Sequence, residues 1–317
     1  MTPLFDPRPW GTFDLSPIYP DQKFTQKIGE SWLTGDHCIV ANGPLAGRRL
    51  DELSIQFGRE LVGDAARDPK RFPLLLKFLF PQDKLSVQVH PDDEAAQRAG
   101  EPWGKTECWY VAYAQPGAQI ALGLKPGATR AQLESAIHGK TAEDLLNWIS
   151  VSAGDMIYVA AGTVHTMGAG SILVETQQQS DATYRLYDYG RPRQLHLERG
   201  LAAVKENARA GKVVHDSSRA PEELVAAPYF IVDKYNLKMP RAFSTQEDGV
   251  SSVQILVAFD GNAVVQCTGA EPVMLNRGDG VVVPACLSGF SVHPQGNVEF
   301  LRARVPGKPR PEPMTRL

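Results

Sequence analysis

Short runs rich in valine, isoleucine, tyrosine and phenylalanine recur along this chain, each closed by glycine or proline: IALGLKPG, MIYVAAG, SILVETQ, VQILVAFDG, NAVVQCTG, GVVVPAC and NVEFLRARV. Such residues fit a pleated surface, and the punctuating residues supply the turns, so these runs read as strands. Helical spacing is confined to three places. LDELSIQFGRELVG (50–63) carries Leu50, Leu53, Phe57 and Leu61 on one face, and TAEDLLNWI (141–149) opens with Thr141 and Asp144 in capping-box spacing. HLERGLAAVKENARAG (196–211) is the third and ends at a glycine. Many short strands and few helices predict a mainly β fold, a sandwich or small barrel.

An internal repeat organises these strands. AGDMIYVAAGTVHTMG (153–168) and RGDGVVVPACLSGFSV (277–292) align without a gap, placing Gly154 and Asp155 on Gly278 and Asp279. A Gly-Asp turn feeding an apolar strand, met twice, predicts two similar β-domains in tandem. The expected bounds are 1–220, with small helical insertions at about 50–70 and 128–150, and 221–317. His165 falls on Gly289, so the second domain is expected to hold no metal.

The chain has 317 residues, 43% hydrophobic and 22% charged, enough for a substantial core. A net charge of -3 gives no broad basic field, which argues against nucleic acid as a partner. No apolar run reaches the length of a membrane span, and MTPLFDPRPW lacks the apolar core of a signal peptide. Cys38, Cys108, Cys267 and Cys286 show no CxxC spacing, as expected of reduced thiols in a cytoplasmic protein. The proline-rich tail PGKPRPEPMTRL is expected to be irregular.

Chemistry concentrates around KLSVQVHPDD (84–93). Leu85, Val87 and Val89 alternate with Ser86, Gln88 and His90, the pattern of a strand with one apolar face. GKTECWYV follows with Lys105, Glu107 and Trp109 on one face, and TVHTM carries His165 after the repeat's tight turn. Gln88, His90, Glu107 and His165 can therefore converge from neighbouring strands. Two imidazoles with a carboxylate suit a borderline divalent ion such as zinc, leaving a position open for substrate. Each residue taken singly also reads as ordinary: His90 as a strand end before Pro91, Glu107 as a solvated strand residue, His165 as a turn histidine.

The ligand pattern, with Gly154, Gly162 and His165 spaced as G-x5-P-x-G-x2-H and Ala160 in the proline position, resembles the cupin superfamily of double-stranded β-helix (jelly-roll) domains. More specifically, the chain resembles the type I phosphomannose isomerases in their shorter bacterial form. The matching segments are IGESWLTGDH, FPLLLKFLFPQDKLSVQVHPDDEAA, GKTECWYV, VAAGTVHTMGAGSILVETQQQSDATYRLYDYGR and LHLERGLAAV, running from about residue 28 to 204. The interval between Glu107 and His165 has no room for the large helical domain of longer members.

This resemblance implies two tandem cupin-type domains and one zinc ion per chain held by Gln88, His90, Glu107 and His165. It implies a catalytic role for Arg185, with Lys105, Glu175 and Asp181 as further active-site polar residues. Ser86 and Lys77 match positions at the phosphate end of the pocket, where Arg185 also belongs to the substrate-binding set. The implied reaction interconverts mannose 6-phosphate and fructose 6-phosphate by moving a proton between C1 and C2. Glu175 is the first candidate for the proton shuttle and Asp181 the second. The implied partner is a small phosphorylated sugar. Three other readings use the same features: an Fe(II) dioxygenase or a free-sugar isomerase on the same metal cage, and a non-enzymatic sugar-binding double-β-domain protein. Arg185 could also serve as a structural partner of Asp188, and Lys105 as a solvated lysine.

Overall fold

A computed structural model describes residues 1–214, 220 and 222–317 of the chain. It is mainly β and divides into two compact units that interleave in sequence. One comprises Met1–Pro7, Phe13–Phe78 and His215–Glu312; the other comprises Arg8–Thr12, Leu79–Val214 and Pro313–Leu317. The expected boundary between residues 220 and 221 falls at a position, 221, outside the described residues. Residues 13–78 fall in the unit that holds the C-terminal β-segments.

The hydrogen bonds explain that placement. The backbone N–H groups of Ala285 and Cys286 donate to the carbonyls of Leu61 and Glu60 at 3.0 and 2.8 Å, and Val253 N–H donates to Val62 at 3.2 Å. The helices Leu50–Phe57 and Arg59–Val62 are thereby stitched to the strands that follow residue 250. Gly63 ends them at φ 86°, where a Cβ would lie 2.3 Å from the Ser251 carbonyl oxygen, so no other residue fits. The sheet of this unit runs Glu223–Ala226, Ile231–Leu237, Gly289–Arg304, Gln254–Gln266 and Val273–Leu275. VQILVAFDG and NAVVQCTG, read as two strands, are one bulged strand, Gln254–Gln266.

In the other unit, two antiparallel sheets enclose a common core. One runs Ser171–Gln178, Glu107–Ala114, Met156–Val159, Ala210–Val213 and Thr315–Arg316. The second runs Tyr184–Tyr187, Val87–Val89, His165–Met167, Gln119–Leu124 and Leu146–Ser150. Trp109, Val111, Ile157 and Leu173 from the first sheet pack with Ile120, Leu122 and Met167 from the second. The outer face of the second sheet, with Val87, Val89 and Leu186, is covered by helices Arg130–His138 and Leu197–Ala203.

Several local expectations are corrected. TAEDLLNWI is not a helix: Ala142–Leu145 is a single 3-10 turn, and Leu146–Ser150 is a strand. The helix lies earlier, at Arg130–His138, with a Thr129–Gln132 capping box. The third helix stops at Ala203, and residues from Ala210 form a strand. The tail is irregular only up to its last residues, where Thr315–Arg316 pairs with Ala210–Val213. The alternation of KLSVQVH holds for Val87 and Val89, whereas Leu85 packs into the core between the sheets.

The internal repeat is real in three dimensions. Met156–Val159 and Gly280–Val283 are aligned residue for residue. Gly154 and Gly278 adopt φ 95° and 91°, and Asp155 and Asp279 each accept a backbone N–H three residues back, at 2.8 and 2.9 Å. All four cysteines are free, and no helix among the described residues is long and apolar enough to cross a membrane.

Candidate metal centre and active site

Three strand ends bring the ligand candidates together. His90 follows Val87–Val89, Glu107 opens Glu107–Ala114, and His165 opens His165–Met167. The Nε2 atoms of His90 and His165 lie 3.5 and 3.4 Å from Glu107 Oε1, and all three side chains are buried. The Nδ1 of His90 lies 2.9 Å from the Ala182 carbonyl oxygen, and that of His165 lies 2.9 Å from the Thr163 carbonyl oxygen. A carbonyl only accepts, so Nδ1 carries a proton in each ring and Nε2 is the atom turned toward Glu107.

Charge states agree with this arrangement. Burial pulls the His165 pKa down from 6.5 to about 4, so the ring is neutral near pH 7. Burial raises the Glu107 pKa, but Lys105 and His165 beside it outweigh that effect, and the net shift is downward. Two imidazoles, that of His165 neutral, and a carboxylate within 4.8 Å of one another make a fitting donor set for a divalent transition-metal ion.

Gln88 adjoins the trio, with its amide nitrogen 3.2 Å from His165 Nε2 and its oxygen accepting from Ser86 Oγ at 3.1 Å. Its oxygen would face an ion only with the amide turned over. Ser86, which accepts as readily as it donates, serves both orientations. The Ser-Gln-His face of the opening strand therefore points into the unit, away from Val87 and Val89 under the helices.

Lys105 is buried, donating to Glu107 Oε2 at 2.6 Å and to Glu175 Oε1 at 3.0 Å, with His90 Nε2 3.1 Å away. This is not a solvated lysine. Arg185 is the direct cross-strand neighbour of Gln88, which puts the two side chains on one face, while Tyr184 and Leu186 on the other face join the core. Its Nη1 donates to the Gln194 carbonyl at 2.8 Å, and its Nε is buried without a hydrogen-bond partner among the described residues. Asp188 is engaged by Arg193 at 2.7 Å and Arg191 at 3.2 Å, so the alternative hydrogen-bonded pairing of Arg185 with Asp188 does not form.

One sequence candidate stands apart. Asp181 is exposed in the loop after Ser171–Gln178 and does not join the buried cluster. Lys77 belongs to the other unit, where its Nζ lies 3.2 Å from Glu30 Oε2 and 5.2 Å from the Trp32 ring centroid. Conversely, sequence reasoning missed Gln177, buried directly opposite Glu107. Period two along Glu175-Thr176-Gln177 was the available signal. The carbonyls of Thr163 and Ala182 that fix the imidazoles carry no side-chain signature at all.

The comparisons with known proteins agree. Residues 16–123 match the family model described as phosphomannose isomerase type I, catalytic domain. A mannose-6-phosphate isomerase of Streptococcus mutans is 34% identical over 92% of this chain and 93% of its own. The crystal structure of a mannose 6-phosphate isomerase from Bacillus subtilis superposes with a TM-score of 0.83 at 30% identity, covering 95% of this chain and 98% of that one. A zinc-bound mannose 6-phosphate isomerase, 16% identical with a TM-score of 0.72 over 96% and 98% of the two chains, shares the fold. With sequence similarity running through nearly the full length of both partners and the His–Glu–His cluster assembled within it, the chain belongs to the type I phosphomannose isomerase family.

Proposed function

We propose that the chain interconverts mannose 6-phosphate and fructose 6-phosphate, with one zinc ion held by Gln88, His90, Glu107 and His165. The observation that carries this is the convergence of two imidazole Nε2 atoms and a carboxylate beside a buried lysine and a second carboxylate. When bound, the divalent ion polarises the sugar's oxygens and offsets charge that develops on them.

The remaining work falls to the side chains. The reaction removes a proton from C2 and returns it to C1 while the carbonyl shifts from C1 to C2, through an enediolate. Glu175 is the better placed proton carrier, because it is buried against Lys105, whereas Asp181 is exposed. Lys105 donates into the cluster and stabilises negative charge as it forms, a preorganised contribution that gains strength where water is excluded. Arg185 presents a buried, unpartnered Nε–H from the face that carries Gln88, a donor suited to a substrate oxygen. Ser86, on the same strand face, is assigned to the phosphate end of the pocket.

A coupled assay for fructose 6-phosphate formation tests the reading, with free mannose as the control substrate. Activity on mannose 6-phosphate, abolished by a chelator and restored by zinc, is the expected result. Chelator-resistant turnover, or equal turnover of free mannose, would refute it. Loss of activity under anaerobic conditions would favour an oxygenase instead.

A further inference from the structure

We propose that Gln177 binds a non-reacting hydroxyl group of the sugar through its amide oxygen, a contact that sets which sugar phosphates are turned over. The inference rests on the isomerase reading above. Gln177 pairs directly with Glu107 across two antiparallel strands, in the register that sets Glu175 opposite Trp109. Opposite residues in such a pair share a face, with Cβ atoms about 5 Å apart. Gln177 therefore extends the face that already carries Glu107 and Glu175.

Its orientation is fixed. The amide nitrogen donates to the carbonyl oxygens of Ser180 at 2.5 Å and Gln178 at 3.1 Å. Turning the amide over would set its oxygen against two carbonyl oxygens, so that arrangement is excluded. The oxygen that remains is buried and has no donor among the described residues. A buried acceptor left unpaired costs about 1–3 kcal/mol. A polyol substrate supplies the missing donor, because each of its hydroxyls carries a proton and the cluster around Glu107 is otherwise rich in groups already engaged. The same oxygen discriminates: an analogue without that hydroxyl leaves it unpaired again.

The test uses the metal-loaded protein, the variant Gln177→Met, and mannose 6-phosphate with its 3-deoxy and 4-deoxy analogues. Methionine keeps the side chain's length and removes the acceptor. The wild-type protein is expected to lose about tenfold in kcat/KM on one of the two analogues, the scale of one neutral hydrogen bond. Gln177→Met should lose about as much on mannose 6-phosphate itself and then show no further loss on that analogue. Losing the contacts to Ser180 and Gln178 alone would slow every substrate equally, so an undiminished analogue penalty in the variant overturns the proposal. If Gln177→Met does not fold, a crystal structure of the wild-type protein with mannitol 6-phosphate decides. A ligand hydroxyl at hydrogen-bond distance from Gln177 Oε1 supports the proposal, and an ordered water in that place overturns it. A wild-type protein inactive on mannose 6-phosphate would instead overturn the isomerase reading, and this inference with it.

Discussion

Replacing Lys105 by methionine should make the protein's stability depend on its metal. The ammonium lies 2.6 Å from Glu107 Oε2 and 3.0 Å from Glu175 Oε1, with side-chain exposures of 4%, 1% and 4%. Methionine keeps most of the apolar stem and removes the charge, leaving two buried carboxylates face to face. Breaking a buried pair by removing one partner costs ~3–5 kcal/mol, because the other charge is left uncompensated. Two unit charges at about 4 Å interact by ~4 kcal/mol at an effective dielectric constant of 20, a similar figure. Protonation of one carboxylate caps the cost near that value. A bound dication supplies the missing positive charge, so the zinc-loaded variant should lose no more than ~1 kcal/mol, the net worth of one hydrogen bond. In a chelator the melting temperature should fall on the order of 10 °C below that of the wild type, and saturating zinc should recover most of it. Calorimetry in both conditions is the assay. An equal drop with and without zinc, or none in the chelator, would show that Lys105 does not balance these carboxylates. Isomerase activity should be lost in either condition.

Other perturbations separate metal binding from chemistry. Arg185→Ala should fold and keep its metal while kcat/KM on mannose 6-phosphate falls by about a hundred- to thousandfold; the guanidinium's hydrogen bond to the Gln194 carbonyl is modest, and a loss confined to KM would make it a ground-state phosphate anchor. His90→Ala and His165→Ala should each lose the ion by metal analysis along with activity, and full metal content in either would refute the ligand assignment. The metal-free protein should lose stability as the pH falls from about 6.5 toward 4, because burial holds His165 at about 4 and the unfolded state binds the extra proton across that window. The loss approaches ~3 kcal/mol at about 1.4 kcal/mol per pH unit. Denaturant midpoints measured in chelator at both ends of the window check it, and His165→Asn should flatten the dependence.

Much of the metal cluster could be read in advance because its residues announce themselves locally. Gln88 and His90 sit two apart at a short strand and its end, and His165 follows a turn whose Gly162 takes a positive φ. What failed was whatever depended on distant contacts. LLNWI has the apolar content of a helix face, but Leu146 is fully buried beneath the helices while Ile149 packs against the core between the sheets, and pairing with Gln119–Leu124 decided in favour of strand. The true helix, RAQLESAIH, buries only Leu133 and Ile137, too weak a stripe to stand out. No local pattern tells the helices Leu50–Phe57 and Arg59–Val62 to pack with strands some two hundred residues later. That choice is made by backbone hydrogen bonds such as Ala285 to Leu61 and by the close approach at Gly63.

The repeat shows how the two units differ at the positions of the candidate metal cluster. Glu107 pairs with Val159 in the first copy, and Gln254 pairs with Val283 in the second, where Val159 and Val283 are aligned residues. On the next strand Gln177 faces Glu107, and Arg304 faces Gln254; Glu175 faces Trp109, and Arg302 faces Leu256. The positions that carry Glu107, Glu175 and Gln177 in one unit thus carry Gln254, Arg302 and Arg304 in the other, and Gly289 stands in place of His165. Those arginines are not free to leave: Arg302 donates to Gln254 Oε1 at 2.7 Å, and Arg304 donates to Asp233 at 2.6 Å and pairs with Glu247. Two fixed guanidinium groups repel a dication, and the one amide oxygen that could approach it is already bound. A single His165-like substitution at Gly289 would therefore not create a metal site there. The same framework that collects anionic donors around His90 and His165 has, in its second copy, closed on itself through an internal ion-pair network.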